Sequence, residues 1–349
     1  MDGGASPITY PWDSPPENGT AVEIAAGVLW IRLPLPLALD HVNVYALDDG
    51  DGWTVIDTGV GSKQSQDMWR ALIDGPLGGR PVRRIVVTHH HPDHVGNAGW
   101  LMAQTGAELL MPRTAWLLAR MLYLDEQARP TPEMIRFWRD AGLRPDQMEQ
   151  RLNERPFNFA DVITALPLGF TRLHEDQVLT MGGRRWQVRM GDGHAPEHAT
   201  FWSLDDHLIL GGDQLLPSIS PNLGVYPTEP DADPVGEWMA TCLRFQPLAR
   251  EDHLVLPGHK LPYQGLPARL QQMIDSHHLA LERLLSALDT PRAAAECFVP
   301  LFKRDITGAS FGLALAEAVA HVNHLFQSGQ ATRSRRDDGA WVYCRKDPT

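Results

Sequence analysis

The chain has 349 residues, 43% hydrophobic and 21% charged, with 31 basic against 43 acidic side chains and a formal net charge of −12. This composition supports a folded core and excludes a disordered, collagen-like or coiled-coil protein. The acidic balance argues against broad binding to nucleic acid or anionic membranes. Three isolated cysteines, Cys242, Cys297 and Cys344, make no disulfide framework, and residues 1–20 lack a basic region followed by an apolar run. A cytoplasmic, reducing location is therefore expected. The most apolar early stretch, residues 21–39, carries Glu23, Arg32 and two prolines, so no spanning helix is expected.

In chain order, residues 1–20 read as an N-terminal extension. Residues 27–33, 41–47 and 52–56 are short β-branched or aromatic runs punctuated by Pro or Asp-Gly, the pattern of antiparallel strands. Residues 63–73 have helical spacing, 82–87 read as a strand buried on both faces, and 96–105 read as a second helix. Residues 112–165, rich in Trp, Met, Leu and Arg and broken by four internal prolines, read as an insert of two or three short helices. Strands are expected again at 185–189, 200–203, 207–210 and 254–256. From 266 the texture changes: Leu270, Met273, Ile274, His277, Leu281, Leu284, Leu285 and Leu288 repeat every 3.6 residues. A second periodic stretch covers 311–326, and 331–335 with 340–344 flank an Asp-Asp-Gly turn, a hairpin signal. The expected domains are thus 21–265 and a small winged-helix-like unit at 266–349.

The strongest local feature is Thr88-His89-His90-His91-Pro92-Asp93-His94, directly after a predicted strand. Histidine turns recur at Gly193-His194 and Gly258-His259, and Asp213 follows Leu210-Gly211-Gly212. All fall at strand ends, where loops gather on one edge of a sheet. Imidazole and carboxylate suit Zn²⁺, and an open catalytic site uses about three protein ligands. Seven such groups fit two ions sharing one acid, about 3.5–4 Å apart. The expected division is His89, His91 and His194 on one ion, Asp93, His94 and His259 on the other, and Asp213 between them. His90 is expected to point away, and His198 to support the ligands without joining them. Two zinc ions per chain are the expected cofactor, with iron or manganese as alternatives.

The order His89-x-His91-x-Asp93-His94, His194, Asp213, His259 resembles the metallo-β-lactamase superfamily, as does Val55-Ile-Asp57-Thr58-Gly59. The resemblance covers about residues 21–265. It implies a four-layer αββα sandwich in which Asp57 buttresses the metal-binding loops without binding metal. The C-terminal residues, with Asn43 and the 215–221 segment, resemble a branch with an appended winged-helix-like domain, which includes hydroxyacylglutathione hydrolase and endoribonuclease-like members. Two positions depart from that pattern: Glu197 and Lys260 stand where the family usually has glycine.

Within such a site the expected chemistry is hydrolysis by a bridging hydroxide, with Asp93 and Asp213 as the candidate catalytic acids. The carboxylate at 213 separates the chain from true β-lactamases, which place Cys or Ser there. The 46 positions from Asp213 to His259 leave no room for the large domain that nucleic-acid-processing members insert. A small carboxylic ester or thioester, of acyl-CoA or glutathione type, is the expected substrate. The 112–165 insert is then a lid, and Trp116, Tyr226 and Lys260 are candidate substrate contacts. Single-stranded RNA cleavage, suggested by Arg333, Arg335 and Arg336 near the hairpin, and a mononuclear iron persulfide dioxygenase are the alternatives. The C-terminal domain is expected to be a packing or dimer-forming cap, so a homodimer is an expected partner and a membrane is not.

Overall fold

The computed structural model describes residues 7–36 and 39–346; residues 1–6 of the expected extension lie outside it. The chain divides into two compact units: Met1–Glu126, Asn158–Pro221 and Leu248–Arg269 form the first, and Gln127–Phe157, Asn222–Pro247 and Leu270–Thr349 the second. These limits differ from linear boundaries at 265 and 266.

In the first unit a seven-stranded sheet runs β1 (Ala21–Ala25), β2 (Val28–Pro34), β3 (His41–Asp48), β4 (Trp53–Ile56), β5 (Val82–Val86), β6 (Glu108–Pro112) and β7 (Thr171–Leu173), in that spatial order. Pairing is antiparallel as far as β4 and parallel beyond it. A second sheet has the order β12-β11-β10-β9-β8, from β8 (Val178–Met181), β9 (Arg184–Gly191), β10 (His198–Ser203), β11 (Leu208–Gly212) and β12 (Leu254–Pro257). Side-chain alternation explains the layering. On β3, Tyr45 and Leu47 join Trp186, Val188 and Phe201 of the second sheet in one core. Val42, Val44 and Ala46 point the other way, into a core with Trp69, Leu72, Leu101 and Ala115. Those four come from α1 (Lys63–Asp74), α3 (Ala98–Thr105) and α4 (Arg113–Leu124), with the one-turn α2 (Pro92–Val95) between the first two. The result is a mixed α/β sandwich of two sheets flanked by helices.

β5 differs from expectation at one end. Ile85 and Val86 are buried on opposite faces, but Arg83 is exposed beside Asp51 and Arg84 pairs with Asp49. The N-terminal segment was not readable as structure from its composition. It is tied down by a two-bond bridge between Thr9 and Gln264, by the bond from the Gly19 amide to the Arg32 carbonyl, and by Trp12 edge-on to Trp30.

The second unit holds α5 (Pro132–Asp140), α6 (Pro145–Asn153), α7 (Pro234–Phe245), α8 (Leu266–Ala287, whose first turn belongs to the first unit), α9 (Phe298–Phe302) and α10 (Phe311–Gln327). Strands β13 (Ala331–Arg335) and β14 (Trp341–Arg345) close it as an antiparallel ribbon. The insert read at 112–165 is therefore split. Helix α4 packs in the first unit, whereas α5 and α6 belong to the second, where Asp140 pairs with Arg335 at 2.6 Å and the Ala141 carbonyl accepts from the Ala295 amide. The expected apolar stripe of α8 is buried except Leu285, which is half-buried. Among the described residues no helix is long and apolar enough to cross a membrane.

Candidate metal centre

The site forms where β4, β5, β9, β11 and β12 end. After β5 the chain passes Thr88, then His89 to His91, and Pro92 opens α2, a position where its missing N–H costs nothing. Asp93 and His94 then follow on that single helical turn. His194 follows β9, Asp213 follows β11 and His259 follows β12. At Gly258 the fold needs glycine: a Cβ there would lie 2.3 Å from Asp213 Oδ1 and 2.8 Å from His94 Cε1.

Three groups of potential ligand atoms lie within 4.8 Å of one another: His89, His91 and His194; His89, His94 and Asp213; and Asp93, His94 and His259. His91 Nδ1 is 3.0 Å from both His89 Nε2 and His194 Nε2. Ligands about 2.0–2.1 Å from one tetrahedral ion are about 3.3 Å apart, so these spacings fit a cation. Asp213 Oδ2 is 3.5 Å from His194 Nε2 and 3.2 Å from His259 Nε2. One carboxylate oxygen thus lies beside a histidine from each half of the cluster. His94 Nε2 and Asp213 Oδ1, both buried and 3.4 Å apart, have no hydrogen-bond partner among the described residues. Buried polar atoms are rarely left so, and this donor set, imidazole nitrogen with carboxylate oxygen, is the chemistry a borderline divalent cation takes.

Behind the candidate ligands, Asp57 orients His94 directly and His89 through Thr88. Its backbone is in the left-handed region at φ 60°, which Asp tolerates, and its carboxylate accepts from the Thr88 amide at 2.8 Å. It also accepts from the Thr88 hydroxyl and lies 2.8 Å from His94 Nδ1. A carboxylate only accepts, so Nδ1 of His94 carries the proton and Nε2 faces the site. The Thr88 hydroxyl, having donated to Asp57, accepts from His89 Nδ1 at 2.9 Å, so His89 also presents Nε2. His259 is oriented in the same way by the His41 carbonyl, 2.7 Å from its Nδ1. Asn43 and Tyr45 hold that last loop: Asn43 Nδ2 donates to the Pro257 and Lys260 carbonyls, and the Tyr45 hydroxyl to Pro257.

Burial, reinforced by the neighbouring imidazoles, pushes His89 and His91 well below the ordinary histidine range, leaving both neutral as ligands must be. Burial also opposes charge on His94 and His259, but there the acids win. The field of Asp213, Asp93 and Asp57 holds His94 well above its usual value, and Asp213 with Asp93 raises His259 to about 10. Asp213 is pulled well below the carboxylate range because the fields of His259 and His94 outweigh its own burial. The acids thus draw positive charge into this centre, and a divalent cation would displace the protons on those two rings.

The other residues singled out in the sequence separate. His90 joins no ligand group; its ring lies parallel to Phe159 with centroids 6.3 Å apart. His198 stacks on His89 at 4.5 Å and its Nε2 accepts from the Asp213 amide, so it packs behind two candidate ligands and is in none of the ligand groups. Glu197 and Lys260 have φ of 52° and 70°, which explains why glycine is usual at both positions. The Glu197 carboxylate accepts from the Thr114 amide at 2.7 Å and lies 3.4 Å from Arg172, tying the start of α4 to β7. Trp116 on α4 stacks on Phe170 at 4.8 Å, and Tyr226 belongs to the second unit. His41 and Arg32 were not found by sequence reading. Neither sits in a motif, and only tertiary contact links them to His259 and Lys260.

A two-sheet sandwich with a histidine and aspartate cluster at its strand ends defines a metallo-hydrolase. Residues 37–259 match the Metallo-beta-lactamase superfamily and residues 281–346 the Metallo-beta-lactamase-like, C-terminal domain. The chain belongs to the metallo-beta-lactamase superfamily. It is 24% identical over 306 residues to the probable metallo-hydrolase YqjP of Bacillus subtilis (strain 168), covering 85% of this chain and 92% of that one. Among solved structures, a beta-lactamase domain protein from Burkholderia ambifaria is 33% identical with a TM-score of 0.87, covering 97% of both chains. A metallo-beta-lactamase family protein from Thermus thermophilus is 25% identical with a TM-score of 0.77, covering 93% of this chain and 100% of that one.

Proposed function

We propose that this protein is a dinuclear zinc hydrolase of a small carboxylic ester or thioester, of acyl-CoA or glutathione type, acting in the cytoplasm. The observation that carries the dinuclear reading is Asp213, whose Oδ2 lies within 3.5 Å of a histidine from each half of the cluster. His89, His91, His194 and Asp213 would hold one ion, and Asp93, His94, His259 and Asp213 the other. When bound, such ions supply Lewis acidity toward an acyl oxygen and a water acidic enough to react near neutral pH. Asp57 and the His41 carbonyl keep three imidazoles aimed inward. Asp93 is the more exposed of the two acids, at 25% of its side chain, and lies 3.3 Å from His259 Nε2 through Oδ2. From there its carboxylate takes the proton of the attacking water and returns it to the leaving thiol or alcohol.

The pairing of the arginines near the hairpin favours the ester reading over RNA cleavage. Arg333 pairs with Asp231, Arg335 with Asp140, and Arg336 with Glu296 and Asp338. These arginines serve their own unit, which suits a packing or dimer-forming, winged-helix-like cap. The test is a panel of acyl-CoA thioesters, hydroxyacylglutathione, lactones and single-stranded RNA with zinc-loaded protein. Thioester or ester turnover is expected, lost in Asp213→Ala. RNA cleavage lost in that variant, without ester turnover, overturns the substrate choice, and elemental analysis showing one iron and no zinc overturns the dinuclear reading.

A further inference from the structure

A cleft of about 300 Å³ in the first unit adjoins the loops that carry the candidate ligands. Its polar lining is Tyr10, Arg32, His41, Ser218 and Lys260, and its apolar lining is Pro15 and Leu261. It is joined to the metal centre covalently and by hydrogen bonds. Lys260 follows His259, Ser218 lies five residues after Asp213, and the His41 carbonyl accepts from His259. The walls are fixed in place. The Thr9–Gln264 bridge seats Tyr10, and the buried Arg269 guanidinium donates to the Leu216 and Ile219 carbonyls on either side of Ser218. The Lys260 amide donates to His41 Nε2 at 2.9 Å, and its carbonyl accepts from Asn43.

The charge of the lining points to an anion. It holds two permanent cations, Lys260 on a left-handed turn and Arg32, and no acid among the described residues. Arg32 is bonded at 3.0 Å by Asp40, which is 71% exposed. Among the described residues Lys260 makes no ion pair. One positive charge is left to balance.

We propose that this cleft binds the carboxylate of the substrate, so that the enzyme prefers acyl groups carrying a terminal carboxylate. Lys260 and Arg32 supply the charge, Tyr10 and Ser218 supply hydroxyl donors, and Pro15 and Leu261 pack along the methylene chain. A single carboxylate matches the one surplus charge; a phosphate monoester, carrying nearly two, overshoots it. The proposal depends on the hydrolase reading only where turnover is measured.

Two measurements test it. The first compares the glutaryl thioester of N-acetylcysteamine with its methyl ester, identical but for the charge, using zinc-loaded protein. The carboxylate form should be preferred in kcat/KM, chiefly through KM. That preference should fall about tenfold in Lys260→Gln, the usual worth of one charge-assisted hydrogen bond, and be retained in Lys260→Arg. An unchanged preference in Lys260→Gln overturns the proposal. The second is calorimetric titration of the metal-free protein with glutarate and with inorganic phosphate. Glutarate binding that weakens in Lys260→Gln supports the subsite even if no thioester is hydrolysed, in which case only the hydrolase reading falls. No glutarate binding, or phosphate binding in its place, overturns the subsite whatever the turnover.

Discussion

Asp57→Asn isolates what the buried acid does for the metal centre. The substitution keeps side-chain shape, and Asn tolerates φ near 60° as Asp does, so the backbone gains no strain. What changes is the donor balance. Asp57 accepts from the Thr88 amide, the Thr88 hydroxyl and His94 Nδ1, all protons pointing inward. The introduced amide has one accepting end and one donating end, so at least one of these donors meets another donor. If that donor is His94, the ring is driven to the other tautomer and presents Nε2–H to the site. A hydrogen bond to a charged acceptor contributes about 1.5–3 kcal/mol. Loss of a partner behind a ligating histidine costs about 10–100-fold in metal affinity, or about 1.4–2.7 kcal/mol, so the two scales agree. His94 is in two of the three ligand groups, whereas His89 is reached only through Thr88. The ion held by Asp93, His94 and His259 should therefore weaken by about 10–100-fold, and the other by less. Competition against a chromophoric chelator, with circular dichroism to check the fold, resolves the two affinities. A folded variant holding both ions as tightly as the parent refutes the tautomer argument.

Gly258→Ala would press a methyl group against Asp213 and His94; about a 100-fold loss of turnover is expected, with far-ultraviolet dichroism unchanged and zinc content below two per chain. Activity within a factor of two of the parent would show that this loop shifts freely. In the second unit, burial raises the Glu317 carboxyl to about 7, opposed by the hydrogen bond from Asn222. Folding then favours the protonated form, so the contribution is complete below about pH 4.5 and is lost as pH rises through about 7. Glu317→Gln should remove that loss and gain about 1–2 kcal/mol at pH 8, the full shift being discounted for partial exposure. Urea melts at pH 5 and 8 that keep the parent's difference would refute it. His277 has the opposite sign: burial, then the nearby His321, His278 and His324, lower it to about 3. Its contribution is present above the unfolded value of 6.5 and is lost as pH falls, by about 2 kcal/mol at pH 5. His277→Phe should flatten the pH dependence of stability between 5 and 6.5 by about one proton, and a slope equal to the parent's would refute the assignment.

The sequence by itself determined the features that rest on local periodicity and spacing. The strands at 41–47 and 200–203 follow from short segments of β-branched and aromatic residues, the helix over 266–288 from its 3.6-residue stripe, and the hairpin around 336–339 from its turn residues. The candidate cluster was legible for a related reason, since four histidines in seven positions, with later histidines at strand ends, have little purpose in a core. Tertiary structure alone decided the rest. The short helices at 132–140 and 145–153 look like part of one insert, yet they pack with the C-terminal elements, because an apolar stripe does not name the surface that covers it. Asp57 becomes the residue that sets two tautomers only when β4 and β5 lie side by side. Arg32, His41 and Lys260, up to 228 positions apart, share a cleft only once β2, β3 and the loop after β12 meet. Periodicity reports which face of an element is buried, whereas a site is made by which elements meet, and that is settled by the packing of the whole sandwich.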